Sequence, residues 1–134
     1  MKKTTLTLLF AVLVLASCGE KSQKKRNLDD TLFAYAALIR WSNYDGAMRY
    51  LKPNVAEIQP TSFELEHIKQ FKVSKYLESP ISPGAKVGVI NQSVEIQLYN
   101  IHSNQVKTIY DHQSWEFDEA IQQWFLLTGL PKLD

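Results

Sequence analysis

The sequence predicts an α+β domain in which N-terminal helices pack on a curved antiparallel sheet of three to five strands. Two observations carry this. Hydrophobic residues recur at helical spacing in the first part of the chain and alternate with polar ones in the second. The alternating runs are separated by short turn signals, which joins neighbouring strands as hairpins, so the helices gather on one face of the sheet.

A helix is expected from Asp29 or Asp30, with Leu32, Tyr35, Ala36 and Ile39 on one stripe. Asn43 reads as a break and a new cap. A second short helix then carries Tyr44, Ala47, Met48 and Leu51 on one side, ending near Pro53. After a loop around Pro60 the period changes. Phe71, Val73 and Leu77 alternate with Lys72, Ser74 and Tyr76, which predicts a half-buried strand. Pro80 and Pro83-Gly84 mark a turn. Val87 to Ile101 reads as a long strand with Val94, Ile96 and Leu98 on one face. His102 to Gln105 is the expected hairpin turn, and Val106 to Phe117 the return strand, with Ile109, Trp115 and Phe117 facing inward. Asp118-Glu119-Ala120 reads as a further turn. A last strand over residues 122–128 sets Trp124 and Leu126 against Phe125 and Leu127.

Before this domain the chain has a different character. Met1-Lys2-Lys3 is a short basic segment, and Leu6 to Leu15 an apolar run of signal-peptide length. Leu15-Ala16-Ser17-Cys18 follows and resembles the bacterial lipobox: an aliphatic residue, two small residues and a cysteine. The resemblance implies cleavage before Cys18 and acylation of its thiol. Residues 1–17 are thus expected as a lipoprotein signal peptide, 18–27 as the lipidated cysteine with a flexible tether, and 28–134 as a single domain. Two or three acyl chains make a stable anchor. Gly19, by resemblance to enteric lipoprotein sorting, implies the outer membrane, with the domain facing the periplasm. Glu20 to Asn27 holds no hydrophobic residue and reads as a solvated spacer.

The chain has 134 residues, enough for one domain, and 1 Cys, so neither an internal disulfide nor a multi-cysteine metal site can form. Loss of residues 1–17 removes two of the 15 basic residues and leaves 13 against 14 acidic ones. A near-neutral domain lacks the electrostatic footprint of a nucleic-acid binder.

The helix junction Trp41-Ser42-Asn43-Tyr44-Asp45-Gly46-Ala47 and the closing strands, Trp115-Glu116-Phe117 and Gln123-Trp124-Phe125 before Leu130-Pro131, resemble small members of the nuclear transport factor 2-like, or cystatin-like, fold. The resemblance covers residues 28–131. It implies helices lying in the concave face of a curved sheet, and it implies no single activity, because the fold hosts enzymes, binding modules and assembly domains.

The chain carries no Gly-x-Ser-x-Gly, phosphate-binding glycine loop or His-Glu-x-x-His. No catalytic residue, metal or cofactor is assigned. A hairpin centred on Ser103-Asn104 sets His112 opposite Glu95 and Asp111 opposite Ile96. Asp111 thereby falls on an apolar face, where a carboxylate must be paired or have a raised pKa. His112 points the other way, so the two cannot form an acid–base dyad. Tyr99, Trp115 and Trp124 are the candidate contacts for a partner or ligand. Three readings follow: a non-enzymatic binding or assembly module with an envelope protein partner or as a homodimer; a carrier of a small apolar ligand in a cone-shaped pocket; and a small isomerase or hydrolase using a pocket Asp, His or Tyr.

Overall fold

The protein is described here from a computed structural model covering residues 2–133, with side chains from Gly19 onward. Three helices pack on an antiparallel sheet that curls into a half-barrel, an α+β architecture. Helix α1 spans Lys2–Arg40. It ends in a Schellman arrangement, with Ser42 in the left-handed region at φ 56°. There the Asn43 and Ser42 N–H groups donate to the carbonyls of Leu38 and Ile39, at 2.8 and 2.9 Å. Asn43 then caps α2 (Tyr44–Ala47), its side chain accepting from the Gly46 N–H at 2.9 Å. A 3-10 turn at Met48–Tyr50 follows and leads to Leu51.

The expected inner stripe of α1 is buried as predicted: Leu32, Tyr35, Ala36 and Ile39 join Leu28 against the sheet. The helix also runs through Glu20–Asn27, where the sequence predicted an unstructured tether. Tertiary contacts hold that segment. Lys24 pairs with Glu119 at 3.1 Å and lies 4.5 Å from the centroid of the Phe117 ring. The Trp124 indole N–H donates to the Lys24 carbonyl at 3.3 Å. Contacts between α1 and the sheet therefore begin at Lys24, within the segment expected as a tether.

Helix α3 (Ser62–Ile68) was not anticipated; the loop around Pro60 leads straight into it. Its start is a capping box: the Glu64 N–H donates to the Thr61 hydroxyl and the Thr61 N–H to the Glu64 carboxylate.

The strands are β1 (Phe71–Glu78), β2 (Ser82–Pro83), β3 (Val89–Asn100), β4 (Val106–Asp118) and β5 (Gln123–Leu126), ordered β1-β3-β4-β5 with β2 beside β3. Strand β2 lies within the Pro80–Gly84 segment expected only to turn, and the last strand is shorter than the predicted 122–128. A bulge at Ser74 breaks the period of β1. It turns Tyr76 into the core and Leu77 out to solvent, the reverse of the simple alternation. Outside the sheet, the Ser42 hydroxyl accepts from the Val73 N–H at 3.0 Å and the Tyr44 hydroxyl donates to the Phe71 carbonyl at 2.9 Å.

The β3–β4 register differs from the predicted one by two residues: His112 opposes Ser93 and Asp111 opposes Val94. The cause is the turn. Asn100 folds its side-chain carbonyl over the loop and accepts from the His102 and Ser103 N–H groups, while Asn104 turns at φ 56°. The loop is therefore longer than a tight hairpin turn. A two-residue displacement leaves every side chain on its expected face. Val94, Ile96, Leu98, Ile109, Trp115 and Phe117 accordingly form the inner wall.

Candidate functional site

Three groups of residues bear on function: a polar cluster on the inner face of the sheet, the aromatic residues singled out from the sequence, and the outer face of α1.

The inner cluster centres on Gln113, which is buried. Its amide N–H donates to the Asp111 carboxylate at 2.8 Å and to the Tyr76 hydroxyl at 3.2 Å. Its carbonyl accepts from the Trp115 indole at 3.1 Å. Burial pushes the Asp111 carboxyl above its ordinary range; the hydrogen bond from Gln113 and the nearby His112 oppose that shift. Burial also raises the Tyr35 hydroxyl, with further contributions from Asp111 and Tyr76, and the Tyr35 oxygen has no hydrogen-bond partner. Asp111 is thus paired as the sequence required, and Gln113 was the residue sequence reasoning missed. A lone glutamine on an apolar strand face, two residues from an aspartate and two from a tryptophan, was the available signal.

The cluster holds one acid of raised pKa without a base beside it. His112 faces the opposite side, where Nδ1 lies 2.9 Å from the Ser93 hydroxyl. Glu95 pairs with Lys75 at 2.9 Å rather than with His112. The concave face above the cluster is filled: Tyr35 meets Trp115 edge-on at 5.1 Å, and Tyr50 packs against both.

Of the three aromatic contact candidates, Trp115 is 0% and Trp124 5% exposed, so both are core residues; Trp124 locks α1 to the β4–β5 end of the sheet. Tyr99 is 37% exposed and alone offers a surface.

The outer face of α1 leaves more aromatic surface in solvent. Phe33 on α1 is 73% exposed, and Trp41, the residue just after the helix ends, is 84% exposed. Ala34, Ala37 and Leu38 lie between them, and with Asn43, Arg49 and Tyr50 they line a shallow depression of about 520 Å³. Gly46 permits the close approach of α2 to this surface, since a Cβ there would fall 2.8 Å from Leu38 Cδ2. The Arg49 guanidinium is held at the rim by a 3.0 Å bond to the Gly46 carbonyl. A faint cue lay in the sequence: Phe33, Ala37 and Trp41 fall off the inner stripe at steps of four residues, which keeps them on one broad helix face. A second groove, about 400 Å³, runs between α3 and the C-terminal segment, with Phe63 exposed at its mouth.

Among the described residues no group of three or more His, Cys, Asp or Glu is placed to hold a metal ion, and no helix is long and apolar enough to cross a membrane. No protein-family model, curated protein or solved structure matches the chain.

Proposed function

We propose that the chain is a lipid-anchored protein of the bacterial envelope that binds a protein partner, without catalysis, through the outer face of α1. The observation that carries this is the pair Phe33 and Trp41, two large aromatics left in solvent on either side of small alanines. Tryptophan, tyrosine and arginine dominate binding hot spots, and Trp41, Tyr50 and Arg49 meet at this depression. The lipobox ending in Cys18 supplies the anchor, and Gly19 supports outer-membrane sorting with the domain in the periplasm. A nuclear transport factor 2-like relationship is consistent with helices seated in a curled sheet and remains part of the proposal.

Two experiments test it. Metabolic labelling with an alkyne-bearing palmitate should mark the wild type and not Cys18→Ala; an unlabelled wild type rejects the anchor. A photo-crosslinking residue in place of Trp41 should give an envelope adduct that Phe33→Ala weakens. An adduct of twice the chain's mass identifies the partner as a second copy. Adducts from position 99 alone move the binding face to the sheet.

A second reading, a ligand carrier or small enzyme, draws on the unpartnered Tyr35 hydroxyl near the half-buried Asp111. Native mass spectrometry of residues 19–134 would show a co-purifying small molecule if it holds.

A further inference from the structure

We infer that the turn between β4 and β5, residues 118–122, is the end of the domain that rests on the lipid surface, and that the β3–β4 loop and α3 stand at the opposite end. The inference rests on the acylation of Cys18 proposed above.

The geometry comes from where α1 first grips the sheet. Lys24 is bound by Glu119 and by the Phe117 and Trp124 rings, and the Asn27 side-chain amide donates to the Gln122 carbonyl at 3.5 Å. All of these partners lie at or beside the β4–β5 turn. Cys18 precedes Lys24 by six residues. Six residues span about 9 Å as helix and at most about 20 Å fully extended. Acyl chains on Cys18 therefore hold this turn within about 20 Å of their headgroups.

The other end is far away. Strand β4 has 13 residues, and at about 3.4 Å each it carries the chain some 40 Å from the turn. Its start joins the Ile101–Gln105 loop, and the Ile101 N–H donates to the Gln70 carbonyl just after α3 at 2.9 Å. The six-residue connection tethers the near end and sets no such bound on the far end, which reaches the bilayer only if the domain lies flat along it.

The exposed groups at the near end suit a lipid surface. Ile121 is 54% exposed at the turn, an apolar side chain able to enter the headgroup zone. Lys21, Lys25 and Arg26 are exposed on the same stretch of α1, where anionic headgroups attract them. Lys24 already pairs Glu119, one of the two acidic residues of the turn. With this end down, the exposed Phe33 and the depression at Trp41 lie beyond the headgroups: along the helix axis Phe33 is about 22 Å and Trp41 about 35 Å past Cys18.

The experiment uses the full-length, acylated protein. Its one native thiol carries the lipid, so an introduced cysteine takes a fluorophore alone. Ile121→Cys and Ser103→Cys, each labelled, are reconstituted into vesicles of phosphatidylethanolamine and phosphatidylglycerol that carry nitroxide-labelled headgroups. Quenching at position 121 is expected to exceed that at 103 several-fold. Equal or reversed quenching in protein whose mass shows the acyl chains overturns the orientation and leaves the anchor standing. Protein that arrives without acyl chains overturns the anchor and the orientation together. A long Gly/Ser spacer inserted after Gly19 should bring the two signals together; an unchanged difference would overturn the argument from the short connection.

Discussion

The two faces of α1 are built from the same kinds of residue and do opposite things. The inner face sets Leu28, Leu32, Tyr35, Ala36 and Ile39 against the sheet, and every one is buried. The outer face leaves Phe33 and Trp41 in solvent and sets Ala34, Ala37, Leu38 and Trp41, with Asn43, Arg49 and Tyr50, around a shallow depression. A helix needs only one apolar stripe to join a core. On the second stripe Ala34, Ala37 and Leu38 are half-buried while Phe33 and Trp41 stay in solvent, so the inner face carries the core and the two outer aromatics stand apart from it.

Substitutions can break or sharpen that contrast. The largest effect is expected from Ile39→Ala on the inner face. It removes a fully buried branched side chain from the core and should cost about 2–5 kcal/mol, read by urea unfolding. A loss well under 1 kcal/mol would mean the inner stripe is not the spine of the core.

A smaller effect, opposite in sign, is expected from Asp111→Asn. In the folded chain burial holds the Asp111 proton to higher pH than in the unfolded chain, where the carboxyl titrates near 3.8. The folded state thus binds more protons between 3.8 and the raised value, so stability falls as pH rises through that window and stays lower above it. Asparagine keeps an acceptor for Gln113 and does not ionise. Its melting temperature should exceed the wild type's by a few degrees at neutral pH, with the gap closing near pH 3. A gap independent of pH would exclude ionisation of Asp111 as its cause.

The smallest change in stability is expected on the outer face. Trp41→Ala should shift unfolding by no more than about 0.5 kcal/mol while reducing partner crosslinking. A loss comparable to that of Ile39→Ala would place Trp41 in the fold and erase the distinction.

Periodicity made much of this architecture legible. The inner stripe of α1, the Asn43 cap and the inward sets of β3 and β4 all follow from residue spacing, because repeated burial on one face leaves a repeated pattern. What escaped was decided by single residues. The bulge at Ser74 reverses the faces of Tyr76 and Leu77, and nothing in the alternation of β1 announces it. The side chain of Asn100 enlarges the β3–β4 loop and moves the register by two. Helix α3 was the avoidable omission, since Thr61 and Glu64 spell a capping box. The polar run Glu20–Asn27 carries no apolar stripe, and its helix is held by Lys24 and the Trp124 indole, contacts a hundred residues apart in the chain. The aromatic candidates were harder still. Trp115 and Trp41 look alike in a sequence; only the packing of the sheet puts one in the core and the other in solvent.

The junction after α1 has a consequence for crowding. Strand β1 is a terminal strand of the sheet, and such strands offer unpaired N–H and C=O groups to any passing chain. Here Ser42 and Tyr44 already occupy the Val73 N–H and the Phe71 carbonyl, and past them the bulge and Lys75 disrupt the remaining template. Molecules held in one plane with one orientation would present these strands side by side at high local concentration. If the chain is anchored as proposed, the short segment between two helices thus guards the domain against strand-to-strand aggregation on that surface.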